Sequence, residues 1–200
     1  VPGLVYTAYT IRLSVPWRRG RVNASCERVK IRKRKWTAAA PRKSFELLWT
    51  ETPRLRRGPV PVIGRESIVR TAMNIADTAG LAAVTMERVA RGMNVTTMAL
   101  YRHLPGKREL VDLMTDAAFA GAPRLAAKDW RRAMGDWARA DLEMFQRHPW
   151  LHESVMHGTS AGPNMLEWID AALHVMSGMS LTPREKMSVI LLIDGHARAS

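Results

Sequence analysis

Between Thr96 and Lys107 the chain gathers Thr96, Thr97, Met98, Ala99, Tyr101, His103 and Lys107, a mixture of short hydroxyls, small apolar groups and terminal cations. Together these types suit non-covalent recognition of a polyanion. Hydroxyls and free amides at a helix start suit a phosphate, which is the role expected of Thr96. Thr97 can donate to or accept from a base edge, and Met98 and Ala99 can touch thymine methyl groups. Tyr101 and His103 lie later on the same segment, in reach of flanking phosphates, and Lys107 adds a positive charge. The sequence holds no nucleophile elbow, phosphate-binding glycine loop or paired metal-ligand motif, so neither an enzyme nor a cofactor is expected.

These residues need a scaffold, and the flanking sequence supplies one. Thr85 caps a short helix running through Arg91, with Glu87 in the first turn where the helix dipole favours negative charge. Gly92-Met93-Asn94-Val95-Thr96 makes a tight turn in which Asn94 can take a positive φ and Val95 pins the corner. Thr96 then caps a helix from Thr97 to about His103, with Leu100 turned to the core. Two short helices joined by such a turn form a helix-turn-helix, whose second member enters the DNA major groove leading with its N-terminus.

Around this unit the periodicity is helical throughout. Arg65 to about Ala79 places Ile68, Ala72, Ile75, Ala76 and Ala79 on one face, and Gly80 stops it. Lys107 to about Ala120 follows the Leu104-Pro105-Gly106 break. Trp130, Met134, Trp137, Met144 and Phe145 mark a long helix ending before His148-Pro149. Ile169, Leu173 and Met176 mark another, and Thr182-Pro183-Arg184-Glu185 is a capping box that opens the last, with Met187, Ile190 and Leu191 among its apolar residues. Nothing from Arg65 onward reads as a strand, so the expected class is all-α. The boundaries predicted are a basic extension over 1–63, a DNA-binding domain over 64–110 and a helical effector and dimerisation domain over 111–200.

Composition points the same way. The 200 residues are 46% hydrophobic and 24% charged, as in a globular protein, with a net charge of +13. Fifteen of the 31 Lys/Arg but only three of the 18 Asp/Glu fall within residues 1–64. A polyanionic partner follows: nucleic acid, or an anionic membrane surface. Residues 1–63 carry the basic run Arg28 to Lys35 and repeated prolines, and are expected to be largely disordered apart from a short helix near Ser44 to Thr50, with Phe45, Leu48 and Trp49 at i, i+3 and i+4. Arg54, Arg56 and Arg57, followed by Gly58-Pro59, read either as an arm lying in a narrow minor groove or as a solvated linker meeting phosphates. Either version strengthens DNA binding. The alternative function is a basic helical protein that binds RNA or a membrane surface through this tail. A single cysteine, Cys26, fits a cytoplasmic chain without disulfides. No stretch reaches the roughly 20 apolar residues needed to span a bilayer.

Ile68 to Ala79, Gly80-Leu81, Thr85-Met86, Val89-Ala90, Met93-Asn94-Val95, Ala99-Leu100-Tyr101-Arg102-His103-Leu104 and Lys107-Arg108-Glu109-Leu110 together resemble the DNA-binding region of TetR-type (tetracycline-repressor-type, TetR/AcrR) transcriptional regulators. The resemblance implies that Thr96, Thr97, Met98, Tyr101, His103 and Lys107 contact double-stranded DNA, with Thr85 or its neighbour on a phosphate. Asn94 stands where the family usually has glycine. The family likeness further implies a palindromic operator and a small effector in the C-terminal helices, whose binding releases the DNA. Trp137, Met144, Trp168 and Met176 are the candidate ligand-binding residues, since they lie along those helices and could line an apolar pocket. His148, His152, His157 and His174 show no metal-ligand spacing, and no metal is expected. A homodimer is also implied. The family closes its dimer bundle with the helix beginning here near Pro183 and a further helix downstream, so the expectation is an incomplete, C-terminally truncated bundle that dimerises weakly.

Overall fold

Apolar residues repeating every three or four positions bury themselves most simply as packed helices, and the computed structural model of the chain is helical in every regular element it describes, namely within residues 43–50, 64–126 and 129–199. In chain order the elements are α1 (Lys43–Trp49), α2 (Arg65–Ala79), a 3₁₀ turn (Leu81–Ala83), α3 (Met86–Gly92), α4 (Thr97–Tyr101), α5 (Lys107–Ala118), α6 (Trp130–Arg147), α7 (Leu151–Met156), α8 (Pro163–Val175) and α9 (Pro183–Ala199). The expected basic extension falls outside the described residues except for α1, and so do Arg54, Arg56 and Arg57.

The middle of the fold is α5, which packs on α1, α2, α7 and α8. Its buried face is partly polar. Thr115 Oγ1 donates to Ser154 Oγ of α7 at 3.1 Å, and the Asp116 carboxylate accepts from Asn164 Nδ2 and from the Met165 amide, each at 3.0 Å, capping the start of α8. Ile68, Ala72, Val89, Leu100, Leu104 and Leu110 close the core beneath α2 to α5, while Met144, Phe145, Trp168 and Met176 fill the interior of the later helices. The predicted 110/111 domain boundary thus falls inside one continuous helix.

Several elements differ from the sequence expectation. α4 stops at Tyr101, two residues before His103: the His103 amide closes a tighter i→i−3 turn onto the Leu100 carbonyl at 2.9 Å, and Pro105 has no N–H to continue the helix. α5 ends at Ala118, before the expected Ala120. The α1 helix forms where expected but buries the other face. Phe45 and Trp49 are 48% and 44% exposed, while Ser44 is buried and shares a 3.2 Å hydrogen bond with Ser160 Oγ. Trp130 lies at the surface with the Arg131 guanidinium over its ring. Leu191 also points to solvent. The 3₁₀ turn and α7 had no periodic signal, being one to two turns long.

Candidate nucleic-acid interface

The two threonines that open the short helices are each set by a local hydrogen bond. Thr85 Oγ1 accepts from the Arg88 amide at 3.1 Å and Thr96 Oγ1 from the Ala99 amide at 3.3 Å, so both threonines cap their helices as expected and each hydroxyl keeps its proton to donate. Between them the Val95 amide closes onto the Ala90 carbonyl at 3.0 Å, and Asn94 takes φ 56°. That left-handed conformation is open to asparagine at little expense, which explains how it stands in for glycine. The turn angles α4 away from α3. Val89, Ala90, Leu100 and Leu104 disappear beneath the pair.

What remains outside is the predicted set. Met98 is 70% exposed and Tyr101 46%. Thr85, Thr96, His103 and Lys107 are exposed as well, and Thr97 is half-buried. The Lys107 ammonium reaches the Leu81 carbonyl at 3.4 Å, leaving two of its three N–H donors for an outside acceptor. A shallow concavity lies at the start of α4, lined by Glu87, Arg91, Asn94, Val95, Thr96 and Thr97. Arg91 is paired with Glu87 at 3.0 Å, both largely exposed. Arg88, Arg91, Arg102 and Arg108 are exposed cations of this region that the sequence reading passed over. Their spacing around Thr85 to Lys107 on predicted helices was the available signal.

The ligand-binding candidates sit in the interior. Trp137, Met144, Trp168 and Met176 are all buried; the Trp137 indole N–H donates to the Trp168 carbonyl at 3.0 Å, and the Trp168 indole to the Phe119 carbonyl at 2.7 Å. Trp168 meets both Phe119 and Trp137 edge-on. A separate apolar groove between α6 and α9 is lined by Ala138, Leu142, Leu192, Ile193 and Ala197, with Arg139 and His196 at its border. Beside Met144 and Phe145, the fully buried Asp141 leaves Oδ2 without a hydrogen bond to any of the described residues. Burial, with Asp194 nearby, pushes its carboxyl up to about 7 against the opposing pull of Arg198. Burial likewise raises Asp116 and Asp194 above the ordinary carboxylate range. Among the described residues no three potential metal ligands come together. None of the described helices is long and apolar enough to cross a membrane.

Two family profiles match in succession: "Bacterial regulatory proteins, tetR family" over residues 68–114 and "Tetracyclin repressor-like, C-terminal domain" over residues 122–199. The HTH-type transcriptional repressor DrrR1 of Streptomyces coeruleorubidus is 37% identical over 157 residues, covering 77% of this chain. This chain spans 58% of that relative's length. Among solved structures, ActR of Streptomyces coelicolor in complex with actinorhodin superposes with a TM-score of 0.64 at 22% identity, over 70% of this chain and 67% of its own. BioQ with its double-stranded DNA operator gives 0.58 at 23% identity, over 68% of this chain and 87% of its own. At those identities the likeness to the two structures is one of fold.

Proposed function

The chain belongs to the tetR family of bacterial regulatory proteins, and from that premise we propose that it is a ligand-released transcriptional repressor that binds a palindromic operator. The observation that carries the reading is the exposed leading end of α4. The Asn94 turn sets it at an angle to α3, with Thr96, Met98 and Tyr101 exposed, Thr97 half-buried and Leu100 anchored. In this proposal α4 lies in the major groove. Thr97 reads a base edge, Met98 and Ala99 meet thymine methyls, and Thr85, Thr96, Tyr101, His103 and Lys107 hold phosphates. Arg54, Arg56 and Arg57 add contacts to the adjoining groove or backbone.

The effector is proposed to be a small, largely apolar molecule taken up by the helices after α5; ActR, of similar fold, is known in complex with actinorhodin. Trp137, Met144, Trp168 and Met176 are the packed wall it would meet, so entry has to separate α6 from α8. Movement there reaches the DNA-binding helices through α5. In a cytoplasmic homodimer it would change the separation of paired α4 helices from one DNA turn, about 34 Å. The domains proposed are a DNA-binding unit over 64–110 and an effector and dimerisation unit over 111–200, behind a basic extension over 1–63.

Tyr101→Ala tests the assignment. Expected is a gel-shift affinity at least about tenfold weaker, which corresponds to the loss of one good contact, with the far-ultraviolet circular dichroism unchanged. Unchanged affinity with intact helicity removes Tyr101 from the interface.

A further inference from the structure

Asp77 occupies the last turn of α2, where unpaired helix carbonyls disfavour a negative charge. Its compensation comes from a distant part of the chain. Asp77 Oδ1 accepts a hydrogen bond from the Trp150 indole N–H at 2.6 Å and lies 2.8 Å from His148 Nδ1. The two donors flank Pro149 at the corner where α6 ends and α7 begins. His148 caps α6, its amide returning to the Met144 carbonyl at 3.0 Å, and proline prevents the helix from continuing, so both rings turn to the same carboxylate oxygen. Trp150 is buried, and its indole N–H needs an acceptor there. Asp77 lies within the match to bacterial regulatory proteins of the tetR family, and both its partners lie within the C-terminal match.

A single helix shared by two bodies leaves rotation about its own axis as the soft motion, and α5 alone would leave α2 to α4 free in that sense. A second attachment on another helix removes it. We propose that Asp77, gripped by His148 and Trp150, is a positioning residue for DNA recognition, a strut beside α5 that fixes the angle of α2 to α4 against α6 and α7. The strut carries any displacement of the α6–α7 corner directly to the recognition helix. It rests on the regulator reading given above. It also explains why an acid stands at an unfavourable helix end, and why the indole of a buried tryptophan is satisfied by a side chain of another helix rather than by nearby backbone.

The test uses spin labels at Arg88→Cys on α3 and Asp170→Cys on α8, both exposed, in a Cys26→Ser background diluted with unlabelled protein. Pulsed electron–electron resonance should give one narrow distance distribution. It should broaden or shift when Asp77→Asn or Trp150→Phe is added. The unlabelled proteins are then compared on a duplex selected from a random-sequence library and on the same duplex with one base pair inserted between the half-sites. The unmodified protein should discriminate between the two, and Asp77→Asn should lower that discrimination about tenfold. A lowered melting temperature with the distance distribution and spacing preference both intact assigns Asp77 a merely structural role and overturns the proposal. No sequence-selective binding by the unmodified protein overturns the regulator reading, while the distance measurement still decides the strut.

Discussion

Thr96 serves two ends, since the oxygen that caps α4 belongs to the hydroxyl proposed to meet a phosphate. Replacing it by alanine should destabilise the start of a helix only five residues long, by about 1 kcal/mol. Faster amide exchange at Ala99 in Thr96→Ala, without DNA present, is the expected sign; an unchanged rate would mean that the cap contributes nothing. Asp141 gives a pH prediction. Its carboxyl moves from 3.8 to about 7 on folding, so the native state holds a proton that the unfolded chain gives up, and stability falls as pH rises across that interval. Asp141→Asn should therefore raise the melting temperature more at mildly alkaline than at mildly acidic pH. An equal change at both would contradict it. The capping threonines and the Asn94 turn were legible in the sequence because capping and turn chemistry are local. Asp141 was not, because its unpaired burial arises only when α6 meets α9.

Helices of three turns or more were legible almost to their ends. Arg65–Ala79 was placed by its apolar stripe and Gly80, and Pro183–Ala199 starts at its Thr182 capping box, where Glu185 Oε2 accepts from the Thr182 amide at 2.8 Å. What escaped was set by tertiary packing. α7 is a six-residue helix after a proline corner, and α1 turned its aromatic face outward while Ser44 is buried against Ser160 in the loop before α8. The same loop makes Gly162 indispensable. A Cβ there would stand 2.3 Å from Asp116 Cγ, so Gly162→Ala should break the cap on α8 and destabilise the fold by about 1–3 kcal/mol in urea unfolding. Gly135, mid-way along α6 with nothing within 4 Å of its would-be Cβ, should behave oppositely. There alanine should stabilise by about 0.5–1 kcal/mol. Stabilisation at both positions would show that packing at Gly162 is not as described.

At the scale of the whole sequence, the charge distribution and the exposed helix-turn-helix support the proposed duplex-DNA partner. Positive charge is concentrated before residue 65, and the helix-turn-helix adds Arg88, Arg91, Arg102, Lys107 and Arg108 at the surface. Affinity for duplex DNA should fall steeply with salt, the log-log slope steepening by about 0.9 for each phosphate neutralised. Lys107→Ala should flatten it by about one such step. An unaltered slope would remove that lysine from the phosphate contacts. Composition narrowed the partner only to a polyanion, and the helix-turn-helix itself was legible from the capping and turn residues between Thr85 and Lys107. The packed state of Trp137 and Trp168 was not, since a stripe of aromatics looks the same from sequence whether it lines a pocket or fills a core.

The most direct measurement of the central claim is selection of bound duplexes from a random-sequence library, followed by titration of the enriched sequence with the native chain and with a Thr97→Ala/Met98→Ala variant. The account predicts enrichment of a site with two inverted half-sites, centred about one helical turn apart, and a variant that loses the preference while keeping weak, salt-sensitive binding. Enrichment of no sequence, or a preference that the variant retains in full, would contradict it.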